Sequence, residues 1–179
     1  MVLCVRCASS GCRLRPWRHD DLDALVRHAD DPRVARTLRD QFPQPYTRAE
    51  GERWIDHATN AGRARELAIE VDGEAVGGVG MVPGEDVYRY CAEVGYWLGH
   101  GYWGRGIMTD AMRAFSAHLL EERGFLRLEA PVFANNPASA RVLEKAGFVQ
   151  ESIKRRAVVK AGELLDVWFY VRLRAGGAR

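Results

Sequence analysis

Residues Glu93 to Phe115, EVGYWLGHGYWGRGIMTDAMRAF, constrain this chain's fold more than any other stretch. An apolar strand runs into a turn carrying Gly99, Gly101, Gly104 and Gly106, and the turn opens directly into an amphipathic helix. Glycines let the backbone approach a ligand closely, and the first amides of a helix have no intrahelical acceptor and lie at the positive end of its dipole. The junction therefore suits a phosphate or pyrophosphate. Residues 99–104 also spell GxGxxG, the dinucleotide fingerprint, so the loop by itself leaves two kinds of cofactor open.

What precedes the loop narrows the choice. CRLRPW reads as a first strand. Asp20 or Asp21 is placed to cap a helix through Leu22, Leu25, Val26 and Ala29, and Pro32 starts a short helix reaching Leu38. Thr47 to Glu50, TRAE, is a capping box for a helix through Trp54, Ile55 and Ala58 that should stop near Gly62. An antiparallel meander follows: Leu67–Val71, the hairpin dipeptide Asp72-Gly73, Ala75–Val82, then a strand expected over Val87–Leu98. After the loop helix come a strand in LRLEAPVF, a helix in ASARVLEKA stopped by Gly147, and strands Val149–Val159 and Leu164–Leu173 joined at Ala161-Gly162. A doubly wound dinucleotide domain would instead alternate strand and helix from the start, with the fingerprint in its first turn. Here Glu121 and Glu122, near the offset of a ribose-binding acid, fall inside a helix, and no GxxxxGK[ST] occurs.

At 179 residues the chain suits one domain, expected over 12–174, with an N-terminal extension at 1–11 and a tail at 175–179. A formal charge of +2 supplies no basic stripe, so nucleic acid is not an expected partner. No apolar run approaches the roughly 20 residues needed to cross a bilayer, and the N-terminus has no signal-peptide core, so a cytoplasmic protein without membrane association is expected. Cys4, Cys7 and Cys12 crowd the first dozen residues. With Cys91 far along the chain they do not form a four-donor metal set, and they read as reduced thiols of a loose tail. The five histidines show neither HExxH spacing nor clustering with acids, so no metal site is expected.

GYWGRGIMTDA at the loop and NPASARVLEKAGF, Asn136 to Phe148, one strand later, together resemble the two signature motifs of the GNAT superfamily of acyl-CoA-dependent N-acetyltransferases. EVGYWLGHGYWGRGIMTDA with NxxSxRVLEKAGF is similar to its Rim-type branch, which includes ribosomal-protein alanine N-acetyltransferases. The resemblance implies a single α/β domain whose mixed, mostly antiparallel sheet has splayed central strands and is flanked by helices. It implies acetyl-CoA as cosubstrate, a small-molecule or peptide amine as acceptor, and a homodimer at family level. Where the family pattern [QR]xxGxG/A opens on a side chain, this loop has Gly101, which leaves the backbone of Trp103, Gly104, Arg105, Gly106, Ile107 and Met108 as the expected pyrophosphate cradle. Arg105 is placed either to add charge near phosphate or to remain a solvated loop cation. By the same resemblance, backbone groups of Gly95, Tyr96, Trp97 and Leu98 pair with pantetheine as an added strand would, and Asn136 helps to hold it.

Direct acyl transfer poses two proton problems: an ammonium must lose a proton before attack, and the departing thiolate must gain one. Glu93, charged within an apolar strand, is the candidate base, with a strand-face salt bridge as the alternative. Ser139 is the candidate acid because the resemblance places its hydroxyl near sulfur; its early helical position equally fits a structural role beside the natural N-cap Asn136. Asp166 on the last strand is a candidate for the acceptor side. The acceptor is left open among a protein N-terminus, an amino acid, a polyamine and an aminoglycoside, and a CoA-binding sensor or assembly module without turnover is the competing class.

Overall fold

Two hairpin turns set the register of much of the chain. At Asp72-Gly73 and again at Ala161-Gly162 both central residues adopt positive φ (51° and 87°, then 51° and 83°), the conformation whose twist matches that of paired strands. The computed structural model describes residues 5–7, 9–60 and 65–176, and the expected helix stop near Gly62 lies outside them. The strands are β1 (Val5–Arg6), β2 (Arg13–Pro16), β3 (Glu66–Val71), β4 (Glu74–Pro83), β5 (Cys91–Leu98), β6 (Arg127–Phe133), β7 (Val149–Lys160) and β8 (Glu163–Leu173). Their order is β1-β2-β3-β4-β5-β6-β8-β7, a mixed sheet in which β5 and β6 run parallel and the other registered neighbours antiparallel. The α-helices are α1 (Leu22–Ala29), α2 (Pro32–Ala35), α3 (Arg48–Asn60), α4 (Ile107–Ala117) and α5 (Pro137–Lys145).

The chain divides into two compact units. The first runs up to Gly80 and resumes over Tyr96–Ala111. Its core gathers Trp17, Leu25, Ala29, Tyr46, Ile55, Ala58, Ala68 and Ala75, with Leu22, Phe42, Trp54 and Trp97 packed against them. α1 and α3 approach closely because α3 carries Gly51, where an added Cβ would stand 2.8 Å from Leu22 Cδ1. Asp21 does not cap α1 with its side chain. Its carboxylate instead takes two bonds from the buried Arg15 guanidinium (2.6 and 2.7 Å) and one from Arg18 N–H, while Arg15 also pairs with Glu70. An unpaired buried cation would cost far more than a missing cap, so the ion cluster takes the carboxylate.

The N-terminal segment, expected as a loose extension, is drawn into the sheet: Val5 and Arg6 pair with Leu14 and Arg13. Cys7 and Cys12 are buried and free, and Cys7 N–H donates to Cys12 C=O at 2.9 Å. The tip of this hairpin is held by Asp110 on α4, whose Oδ2 accepts the Ser9 and Ser10 amides at 3.2 and 2.6 Å.

The second unit comprises Met81–Gly95 and Met112–Arg179. The strand expected from Val87 starts later, because Asp86–Tyr88 forms a 3₁₀ turn and β5 begins at Cys91. Asp86 has φ of 52°, and a Cβ added at Gly84 would overlap the Tyr88 backbone, a tight reversal that alternation of residue types does not reveal. α4 ends in a π turn, His118–Glu122, before Gly124 at φ 80°. β6 pairs with β8 along its whole length, and β7 with β8 over most of theirs.

Candidate active site

Within the first unit the glycine loop is built as the sequence predicts, with added detail. β5 ends at Leu98, Gly99 N–H donates to Val76 C=O at 2.8 Å, a 3₁₀ turn spans His100–Tyr102, and α4 starts at Ile107. Gly104 (φ 74°) and Gly106 (φ 77°) are left-handed, and an added Cβ at either would meet nothing within 4 Å. The loop therefore offers an open, amide-lined surface at a helix N-terminus. Such a surface fits a pyrophosphate, whose charge the helix dipole and first-turn amides favour.

The side chains fix the loop's shape. Trp103 Nε1 donates to Leu98 C=O at 2.7 Å, bracing loop against strand, and its ring packs on His100. Arg105 lies over the Tyr102 ring at 5.2 Å, which leaves its exposed guanidinium beside the amide surface. Ile107 and Met108 turn their side chains into the core, so only their backbones can serve a ligand. Gly99 has a structural reason of its own: an added Cβ there would lie 3.0 Å from His28 Cβ and Nδ1. His28 is anchored by Glu74 and meets Tyr102 edge-on at 5.4 Å, so α1 props the loop from below. This prop has no sequence signal, since it joins residues far apart along the chain.

Before the loop, Tyr96 and Trp97 are half-buried and Leu98 is buried. A Cβ on Gly77 would stand 2.5 Å from the Trp97 carbonyl oxygen, so glycine at 77 is what lets β5 lie where it does. The parallel register of β5 with β6 covers Cys91–Glu93. Gly95 follows, exposed, with nothing within 4 Å of an added Cβ. A short paired stretch followed by an open glycine is the local form expected where strands splay.

In the second unit, Asn136 Oδ1 accepts Ser139 N–H at 3.1 Å, with Pro137 at the first helical position, so Asn136 is the N-cap of α5. The cap relieves the Ser139 hydroxyl of that duty. Glu93 is half-buried on β5. Asp166, expected on the acceptor side, lies on β8. It accepts Arg156 N–H at 2.7 Å and Arg155 Nη1 at 3.4 Å, holding the irregular part of β7 where Arg156 has φ of 48°. A register shift between Lys154 and Val158 leaves backbone donors without cross-strand acceptors, and the Asp166 carboxylate satisfies one of them. Among the described residues no group of three His, Cys, Asp or Glu could hold a metal ion.

One acid escaped the sequence reading. Glu66, at the start of β3, is paired with Gly80, and a Cβ at Gly80 would overlap the Glu66 carboxylate, with Cδ only 2.6 Å away. Burial pushes its pKa up to about 7. Counting outward from Asp72-Gly73 puts Glu66 opposite Val79, but an irregularity between Ile69 and Glu70 shifts the register by one residue and brings glycine beneath the carboxylate.

A family model described as an acetyltransferase (GNAT) domain matches residues 12–149. The chain belongs to the GNAT acetyltransferase family. This GNAT domain is 28% identical over 170 residues to the uncharacterized N-acetyltransferase p20 of Bacillus licheniformis, covering 90% of this chain and 92% of that one. It is 28% identical over 112 residues to the ribosomal-protein-serine acetyltransferase of Escherichia coli, covering 63% of this chain and 62% of the relative. The fold matches that of RimL, described as a ribosomal L7/L12 alpha-N-protein acetyltransferase in complex with coenzyme A, with a TM-score of 0.83 at 20% identity over 96% of this chain and 98% of that one. Among the described residues no helix of the GNAT domain is long and apolar enough to cross a membrane.

Proposed function

We infer that this GNAT acetyltransferase carries an acetyl group from acetyl-CoA directly to a primary amine of a peptide, a protein N-terminus or a small molecule, and that it works in the cytoplasm. The observation that carries the donor is the loop: two left-handed glycines, open above their Cα atoms, lead into the N-terminus of α4. Backbone amides of Gly104 to Met108 receive the pyrophosphate, the Trp103 N–H of the expected cradle being taken by His100 C=O at 3.1 Å, and Arg105 adds charge at the edge. The backbone of Gly95 to Leu98 pairs with the pantetheine arm, and Asn136 steadies that arm while capping α5. When bound, the cosubstrate supplies an activated thioester carbonyl. Ser139 gives a proton to the departing sulfur, and a carboxylate takes the acceptor's proton directly or through water, Glu93 on β5 being the candidate carried by the cofactor strand. The protein acceptor draws support from the ribosomal-protein-serine acetyltransferase among the relatives.

The test is free-thiol release from acetyl-CoA against a panel holding a peptide with N-terminal serine, one with N-terminal alanine, spermidine and an aminoglycoside. Thermal shifts with acetyl-CoA and with NAD are recorded alongside. Stabilisation by acetyl-CoA with thiol release for at least one amine is the expected result. Stabilisation by acetyl-CoA with no release for any acceptor would mark a binding module, and stabilisation by NAD alone would overturn the donor.

A further inference from the structure

The core of the first unit contains polar groups that its packing does not use. Ala68 belongs to the aromatic core, and Glu66, two residues earlier on β3, shares its face. Opposite them on β4 stand Gly78 and Gly80. Neither glycine is needed for a turn; each leaves room above the sheet. Above Gly78 lie Trp97 Nε1 and Trp17 Cζ2, at 3.1 and 3.2 Å from where a Cβ would be. Above Gly80 lies the Glu66 carboxylate. Trp97 in turn packs against Phe42, with ring centroids 5.7 Å apart.

Trp17 is only 3% exposed, yet its Nε1 finds no hydrogen-bond partner among the described residues, and neither does Trp54 Nε1. Buried indole N–H groups are normally satisfied, and a desolvated carboxylate over Gly80, two residues along the same face from the tryptophan-covered Gly78, is costly to keep. Desolvation, with no contribution from a neighbouring charge, is what raises the Glu66 pKa to about 7. A carboxylate without a counter-charge, close to aromatic rings, has the chemistry of an ammonium site, and the unused Trp17 N–H, a donor only, suits a carbonyl carried by the same ligand.

We propose that Glu66, standing on Gly80 on the face where Trp17 and Trp97 cover the neighbouring glycine, Gly78, is the acceptor subsite of this acetyltransferase and takes a proton from a substrate bearing a single primary ammonium next to an apolar group. This rests on the acetyl-transfer reading above. The ammonium pairs with the carboxylate and lies against the indole rings. One N–H proton passes to Glu66, which frees the nitrogen lone pair to bond with the thioester carbonyl carbon as the carbon–sulfur bond breaks. The second proton lost by nitrogen passes, directly or through water, to Ser139 and replaces the one its hydroxyl gives to the departing thiolate; Glu66, in place of Glu93, is then the base, and it releases its own proton to water. The products are one amide, one thiol and one proton. One carboxylate among aromatic rings neutralises one positive charge. Polyamines and aminoglycosides would have to desolvate further ammonium groups against indole without a counter-charge, so the subsite disfavours them.

Two measurements on the full chain test this. The first is intrinsic tryptophan fluorescence during titration with a peptide bearing N-terminal serine, with n-butylammonium and with spermidine, in the absence of CoA. A saturable change with the peptide or n-butylammonium, weakened about tenfold or more in Glu66→Gln and in Gly80→Ala, is expected. The second is thiol release: Glu66→Gln should lower kcat/KM by about a hundredfold or more, with KM for acetyl-CoA unchanged. Stability separates a site residue from a structural one. The folded pKa of about 7 lies above the unfolded value of ~4.3, so the carboxyl's contribution to stability is present below ~4.3 and lost as pH rises through 7. Glu66→Gln should therefore melt at or above the wild-type temperature at pH 8 while losing turnover, a combination a scaffold residue would not show. No saturable fluorescence change with any probe, or equal saturation in wild type and Glu66→Gln, overturns the subsite whether or not turnover is found. Thiol release at wild-type kcat/KM in Glu66→Gln overturns the proton transfer alone. Absence of thiol release in wild type fails the acetyl-transfer reading, and the titration still decides the subsite.

Discussion

Individual buried charges account for much of what the first unit does. Arg15, 4% exposed, is held by Asp21 and Glu70, and its charged form survives because these two carboxylates outweigh a large desolvation cost. Glu70 is held below the usual carboxylate range by the Arg15 guanidinium first. Removing one partner from such a cluster strands the others without water, so Arg15→Ala should lose about 3–5 kcal/mol of stability, read as a lower urea midpoint. A loss below about 1 kcal/mol would mean that water reaches the cluster and screens it as it does a surface pair. Glu66 is the contrasting case: among the described residues no cation answers it, which is why it stands out as a group kept for a ligand. Neither residue announces itself in the sequence. Arg15 lies in a strand that alternates in the ordinary way, and the place of Glu66 depends on a one-residue register shift that composition does not encode.

At the level of elements, turn chemistry carried most of the information. Asp-Gly and Ala-Gly placed both hairpins, the capping box opened α3, where Thr47 Oγ1 accepts Glu50 N–H at 3.3 Å, and the glycine loop led into α4. Each signal is local, so local sequence suffices. The differences are tertiary: Asp21 is drawn from its cap to Arg15, and the N-terminal hairpin is fastened by Asp110, 100 residues away from Ser10. The loop makes a direct prediction. Gly104→Val places a β-branched residue at φ 74° and a side chain over the amide surface, so acetyl-CoA affinity should fall by about tenfold or more in calorimetric titration. Unchanged affinity would remove Gly104 from the cradle. For α5, Asn136 accepts the Ser139 amide, a bond that Ser139→Ala keeps. If the hydroxyl protonates sulfur, kcat should drop by about tenfold or more with little change in KM for acetyl-CoA. Equal kcat would make Ser139 a packing residue.

For the whole molecule, the order of elements decided between two cofactors that the loop alone left open. GxGxxG is a statement about six residues, and its meaning depends on what the strand before it belongs to. Following an antiparallel meander, the loop ends a strand that pairs in parallel with β6 over only Cys91–Glu93, and the family match and the fold agree with that placement. The acceptor was not legible because the groups that would meet it come from Trp17, Phe42, Glu66 and Trp97, brought together only when β2, β3, β4 and β5 are in register. The central claim is that one protein both holds acetyl-CoA and moves its acetyl group to an amine. It is tested most directly by incubating the wild-type chain with acetyl-CoA carrying a labelled acetyl group and a peptide with N-terminal serine, and measuring peptide mass and free thiol together. Labelled acetyl-peptide and free CoA thiol should appear in equal amounts; thiol release without acetylated peptide, or neither product at saturating acetyl-CoA across the amine panel, would rule the transfer out.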